Sequence, residues 1–270
     1  MNMNRISDTF EKLKREKKKA FIVYITAGDP SLKTTAELVK ELERSGADIV
    51  ELGIPFSDPM ADGPTIQRAV QRSLNAGCTV KGVFDMVRNL RKEVNIPLVF
   101  MTYYNIVFNY GVKKFVSDAK LAGVDGIIVP DLPMEESDEL AEAGKGKDFS
   151  VILLAAPTTS RERFKQIAKK TTGFIYYVSL AGVTGARKVV PTSVAGTVKK
   201  LQKLTDKPVC VGFGVSDPSQ AKTLSAAASG VIVGSAVINV IEKYSADKGK
   251  MIKAVGKFAS GIASAVHGGN

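Results

Sequence analysis

Residues 48–65 read DIVELGIPFSDPMADGPT. Their first six, DIVELG (48–53), are short, apolar and β-branched, and they lack the clean polar alternation of a strand with one wet face. That is the pattern of a strand buried on both faces, as parallel sheets covered by helices require. Seven further runs repeat it: FIVYIT (21–26), PLVFMT (97–102), DGIIVPD (125–131), FSVILLA (149–155), GFIYYVS (173–179), PVCVGF (208–213) and GVIVGS (230–235). Helical patterns lie between them, at 32–46, 111–123, 160–171 and 217–229, with two (65–77 and 80–93) ahead of the third strand and a closing one at 248–266. Ile6, Phe10 and Leu13, spaced 4 and 3, add an amphipathic helix before the first strand. Eight runs in 270 residues give about 34 residues per unit, the size of a βα repeat. The expected fold is α/β: a (β/α)8 TIM barrel with an extra N-terminal helix and additional short helices, residues 1–270 forming a single domain. A doubly wound open sheet is the alternative, but no G-x-G-x-x-G follows any strand. Gly46, Gly123 and Gly230 each fall between a helix pattern and a strand, where a C-capping glycine belongs.

Composition removes several classes of function. The chain has two cysteines, Cys78 and Cys210, far apart, and one histidine, His267. A disulfide scaffold, a structural zinc site, a multi-histidine metal centre and a histidine-based triad all lack their residues. No metal site is expected. No apolar run approaches a membrane span, and the N-terminus has charge without an apolar core, so a reduced, cytoplasmic protein is expected. Lys and Arg total 38 against 27 Asp and Glu, a net charge of +11. The densest basic run, Lys12–Lys19, has no interleaved aromatics for base stacking and reads as a solvated helix end. An attractive field for an anionic metabolite is the second reading, and nucleic-acid binding a distant third.

In such barrels, reactive groups sit at the C-terminal ends of the strands and in the loops that follow. Along 48–53, Ile49, Glu51 and Gly53 share one face and Val50 and Leu52 the other. With the Val/Leu face against the helices, Glu51 points into the barrel mouth. An inward carboxylate there should have a raised pKa, the condition for a general acid. A structural glutamate would need an interior Lys or Arg, and the predicted strands contain none. The next loop brings Asp58 and Asp62 among Pro55, Pro59, Gly63 and Pro64, a restricted segment able to hold an acid over a substrate. The seventh and eighth strands end in GFG and VGS. There Gly214, Gly234 and Ser235 are placed to bind phosphate through backbone N–H groups, with Ser235 opening a short helix. The glycine-punctuated stretch 179–191 is long enough to be a lid.

The motifs E-L-G-I-P-F-S-D-P-x-A-D-G-P, G-V-T-G, G-F-G-V and G-S-A, in this order and spacing, closely resemble those of the tryptophan synthase α subunit family, from TAGDP (26–30) to GSAVI (234–238). The resemblance implies a (β/α)8 lyase that cleaves indole-3-glycerol phosphate into indole and glyceraldehyde 3-phosphate. It implies that Glu51 is the acid–base group and Asp62 the carboxylate near the indole N–H. Tyr24, Tyr176 and the lid residue Thr184 would meet the substrate, and Met101, Tyr103, Pro130, Leu154, Phe213 and Ile232 would line its pocket. Gly185, Gly214, Gly234 and Ser235 would cradle the phosphate. A pyridoxal-phosphate-dependent β subunit is the implied partner in an α2β2 assembly, contacted through Phe56, Asp58 and Pro59, with no cofactor in this chain. Leu180 replaces an arginine common in the family, and Pro130 stands where a smaller residue is usual.

Retro-aldol cleavage needs an electron sink. No predicted strand end carries a Schiff-base lysine, Lys207 lying at the wrong end of its strand, and scattered carboxylates with one histidine do not suit a metal. The indole ring, protonated at C3, can accept the electrons instead. Rival readings are an isomerase or epimerase on the same phosphate-binding barrel, a standalone indole-releasing lyase, and a non-catalytic activating partner.

Overall fold

The computed structural model describes residues 4–178, 192–212 and 214–268. Nine parallel strands form one sheet: β1 (Ala20–Thr26), β2 (Ile49–Gly53), β3 (Leu98–Met101), β4 (Gly126–Ile128), β5 (Ser150–Ile152), β6 (Leu154–Ala155), β7 (Ile175–Val178), β8 (Val209–Gly212) and β9 (Gly230–Val233). Their order is β5-β4-β3-β2-β1-β9-β8-β7-β6. The two edges, β5 and β6, are halves of the fifth expected strand, parted only at Leu153. The first half pairs with β4 and the second with β7, so the sheet closes on itself as the (β/α)8 barrel the periodicity predicts. At the break, Leu153 N–H donates to Thr171 Oγ1 (2.8 Å) and its carbonyl accepts from Tyr176 N–H (3.1 Å), keeping the backbone satisfied.

The alternation read from 48–53 holds. Val50 and Leu52 pack outward against the helix layer. Ile49 joins an inner shell with Ala20, Ile22, Val99, Ile128, Ile152, Phe174, Cys210 and Ile232. The N-terminal helix, Arg5–Arg15, closes the floor of this shell with Ile6 and Leu13, both buried. Phe10 adds a ring contact to Phe174 at 5.7 Å. Burying such side chains contributes about 1.5–3 kcal/mol each, which holds the helix on the end opposite the mouth. The basic run Lys12–Lys19 therefore lies at the floor.

The predicted helices are present, though 217–229 contracts to Pro218–Ser225. Three more, Tyr104–Tyr110, Asp138–Gly144 and Thr192–Gln202, were not signalled by the periodicity. Gly46 (φ +93°) and Gly123 (φ +99°) take the left-handed conformation expected just past a helix. Gly230 does not: it is the first residue of β9, and a Cβ there would come within 2.9 Å of Ala20 Cβ and Cys210 Sγ. It is a packing glycine of the inner shell.

Candidate active site

Glu51 sits on β2, flanked in register by Tyr24 on β1 and Val99 on β3. It is fully buried, and among the described residues neither carboxylate oxygen has a hydrogen-bond partner. Among the described residues no interior cation balances it, and burial pushes its pKa up to about 8. At neutral pH the side chain is mostly the neutral acid.

Asp62 follows in the loop after β2 and is partly buried. Burial raises its pKa to about 6, against the lowering effect of a hydrogen bond donated by Tyr103. Tyr103 Oη donates to Asp62 Oδ2 (3.0 Å) and accepts from Ala61 N–H (2.9 Å), tying the loop to the end of β3. Phe56, half-buried, lays its ring against Tyr103 at 5.3 Å. Two carboxylates thus differ in state near pH 7, Glu51 protonated and Asp62 ionised, because one is sealed in the barrel and the other meets a phenol at its rim.

Two tyrosines flank the pair. Burial raises the pKa of each, and each also responds to the charge of both Glu51 and Asp62. Each phenol occupies a notch left by a glycine on the next strand. A Cβ on Gly53 would fall 2.2 Å from Tyr24 Oη, and one on Gly212 would fall 2.8 Å from Tyr176 Oη. Tyr24 Oη lies 3.3 Å from Thr26 Oγ1. Tyr24, Asp62, Met101, Tyr103 and Pro130 line one small cavity, together with Ile54, Phe56, Val70 and Thr102. Ile232 lies in the inner shell, with Leu154 and Tyr176 packed against it.

On the other side of β1 from β2, β9 runs through Gly234 into the helix Ser235–Lys243. Gly234 is its N-cap and supplies no side-chain acceptor, which leaves first-turn N–H groups for an anion. Its own Cβ would press on Tyr24 Cβ at 3.3 Å. Gly214 has φ +59°, a conformation that favours glycine. Thr184, Gly185, Leu180 and Phe213, with the expected lid, lie outside the described residues. In the β2 loop, Asp58 is exposed and accepts from Ser57 Oγ at 2.7 Å, Pro59 is half-buried, and Met60 is 89% exposed.

The sequence reading placed Tyr103 among pocket-lining residues but missed its bond to Asp62. A loop-to-loop contact across 41 positions carries no local periodicity. Ile54, Val70 and Thr102 were also missed; Thr102, the first residue past β3, has a buried hydroxyl with no partner. Its place directly after a strand was the one available signal. Among the described residues, no group of three potential ligands could hold a metal ion, and no helix is long and apolar enough to cross a membrane.

Comparison with known proteins agrees with this geometry. The family model described as tryptophan synthase alpha chain matches residues 10–267. The tryptophan synthase alpha chain of Geotalea daltonii is 47% identical over 264 residues, covering 97% of this chain and all of that one. The crystal structure of tryptophan synthase subunit alpha from Legionella pneumophila superposes with a TM-score of 0.91 at 40% identity, covering 98% of each chain. A chain from the tryptophan synthase complex of Pyrococcus furiosus gives a TM-score of 0.81 at 37% identity, covering 91% of this chain and 98% of that one. A barrel whose mouth joins two carboxylates of opposite protonation to a free helix N-terminus, matched over nearly its whole length, belongs to the tryptophan synthase alpha chain family.

Proposed function

We propose that Glu51 and Asp62 carry the lyase reaction of this family, the cleavage of indole-3-glycerol phosphate to indole and glyceraldehyde 3-phosphate. Glu51, neutral near pH 7, gives its proton to C3 of the indole ring. The positive charge that develops at the ring N–H is stabilised by ionised Asp62. The Glu51 carboxylate then takes the proton of the hydroxyl on the carbon attached to C3. The C–C bond breaks, its electrons return to the ring, and the hydroxyl carbon becomes the aldehyde. Glu51 ends protonated, ready for another turnover. Acid–base transfer and charge stabilisation of this kind contribute about 2–4 kcal/mol each to lowering the barrier.

Tyr24, Tyr176, Met101, Tyr103, Pro130, Leu154 and Ile232 hold the indole and glycerol portions in this reading, with Thr184 and Phe213 assigned by resemblance. The phosphate goes to the N–H groups at Gly214, Gly234 and Ser235, with Gly185 added by resemblance. The observation that carries the reading is Glu51, buried with both oxygens unpartnered and its pKa raised to about 8. Indole release from indole-3-glycerol phosphate tests it: Glu51→Gln and Asp62→Asn should each lower turnover by roughly 10² or more in a folded protein. Near-normal rates in either would remove that residue from the mechanism.

The chain's place as one subunit of a synthase belongs to the same proposal. The Pyrococcus neighbour comes from a tryptophan synthase complex, and the β2 loop presents Asp58, Pro59 and exposed Met60 beside Phe56. Docking of a pyridoxal-phosphate-dependent β subunit there would press on the loop that carries Asp62. Activation of indole release by added β subunit supports this. High activity of the isolated chain, unchanged by β subunit, would mark a standalone lyase.

A further inference from the structure

Beyond the cavity itself, one ion network joins three segments that build the mouth. The helix Pro64–Asn75 starts two residues after Asp62. From it, Arg72 grips Asp29 with both prongs, Nε to Oδ1 and Nη2 to Oδ2, each 2.8 Å. Asp29 lies just past β1 and is 1% exposed. The third guanidinium nitrogen, Nη1, donates to Glu242 Oε1 at 2.8 Å. Glu242 is also held by Arg68, through Nε at 2.8 Å and Nη2 at 2.9 Å. It stands near the end of the helix Ser235–Lys243, whose other end is the free N-terminus at Gly234. Ser73, beside Arg72, donates to Ala27 O at 2.5 Å and fastens the same helix to the exit of β1.

The two helices pack against each other, and one guanidinium clamps them together near their C-terminal ends, beside the exit of β1. Arginine suits this role because its planar fork fixes direction as well as distance, which a lysine cannot do. We propose that Arg72 is a positioning residue that keeps the phosphate-binding helix in register with Asp62, so that phosphate binding raises turnover and not affinity alone. The inference rests on the reading of Glu51, Asp62 and the phosphate cradle given above. Binding energy from a part of the substrate remote from the breaking bond raises kcat only when the frame between them is stiff, and small misplacements cost large factors.

The test compares indole-3-glycerol phosphate with its dephosphorylated form in the wild type, Arg72→Lys, Arg72→Ala and Glu242→Gln. In the wild type, loss of the phosphate should lower kcat as well as raise KM. In Glu242→Gln, kcat on the phosphorylated substrate should fall by about 5- to 20-fold. Its kcat on the dephosphorylated form should stay within about twofold of wild type, and glycerol 3-phosphate affinity within about threefold. Arg72→Lys should fall between Glu242→Gln and Arg72→Ala. The Glu242 side chain is 33% exposed, so its variant keeps the fold even where Arg72→Ala fails to. Equal loss on both substrates, or a lowered Tm with unchanged kcat, would overturn the coupling and leave a structural clamp. A wild type that releases no indole would instead overturn the assignment of the site itself.

Discussion

Asp125 at the floor of this barrel and Glu51 at its mouth are both buried carboxylates, and they share little besides burial. Asp125, 1% exposed, accepts from Arg91 Nη2 (2.6 Å), Arg5 Nη1 (2.9 Å) and Leu98 N–H (2.9 Å). Glu51, 0% exposed, accepts from no described residue. A buried charge ringed by donors is a fixed part of the frame. A buried carboxyl without donors holds a proton that it can give away. The same side-chain chemistry thus serves stability at one end and reaction at the other, and the neighbours decide which.

The sharpest way to break this contrast is to remove each carboxylate. Glu51→Gln should cut indole release by roughly 10² or more while the fold persists. Asp125→Asn should do the reverse, destabilising the barrel by about 3–5 kcal/mol because Arg91 is left buried without its counter-ion. Denaturant unfolding and steady-state assays on both variants check this. An Asp125→Asn protein as stable as wild type, or an active Glu51→Gln protein, would erase the distinction.

Stability against pH sharpens it next. A Glu51 pKa raised from 4.5 to about 8 means that the folded chain keeps a proton the unfolded chain releases across that window. Stability from this group is therefore complete below about pH 4.5 and declines as pH rises toward 8. The slope is at most about 1.4 kcal/mol per pH unit. Wild type compared with Glu51→Gln should show this decline, and parallel curves would mean that Glu51 finds a partner in solution.

The two ends also differ in how well the sequence announces them. Alternation along 48–53 puts Glu51 inward because period 2 leaves only two faces and Val50 and Leu52 claim the outer one. The spacing of Ile6, Phe10 and Leu13 likewise identifies the helix that closes the floor. Pairings across the fold leave no such trace. The bond of Tyr103 to Asp62, the grip of Arg72 on Asp29 and Glu242, and the break of the fifth strand at Leu153 all arise from tertiary geometry. Gly230 reads as a helix cap because glycine before a strand fits two explanations, and only the approach of Ala20 and Cys210 separates them.

Activity against pH comes third. Below about 6, Asp62 is protonated and loses its hold on the ring cation; above about 8, Glu51 is ionised and has no proton to give. The profile of kcat/KM should be a bell with its plateau between these values. The substrate's phosphate ester also ionises near pH 6. Asp62→Asn separates the two origins, since an acid limb that survives the substitution belongs to the substrate.

The smallest effect concerns the neighbour that distinguishes Asp62 from Glu51. Among the described residues, the Tyr103 phenol is what holds the Asp62 pKa down against burial. Tyr103→Phe keeps the ring against Phe56 and removes only that donor. Asp62 then moves toward the condition of Glu51, with its pKa raised further. The acid limb of kcat/KM should shift to higher pH by less than about one unit, the change a single hydrogen bond produces. The loss of rate should be at most about threefold near pH 6.5 and should largely recover by pH 7.5, where Asp62 is again ionised. A uniform loss at every pH would mean that Tyr103 serves only to shape the cavity wall. An unmoved acid limb would assign that limb to the substrate phosphate, leaving burial alone to set the proton affinity of both carboxylates at the mouth.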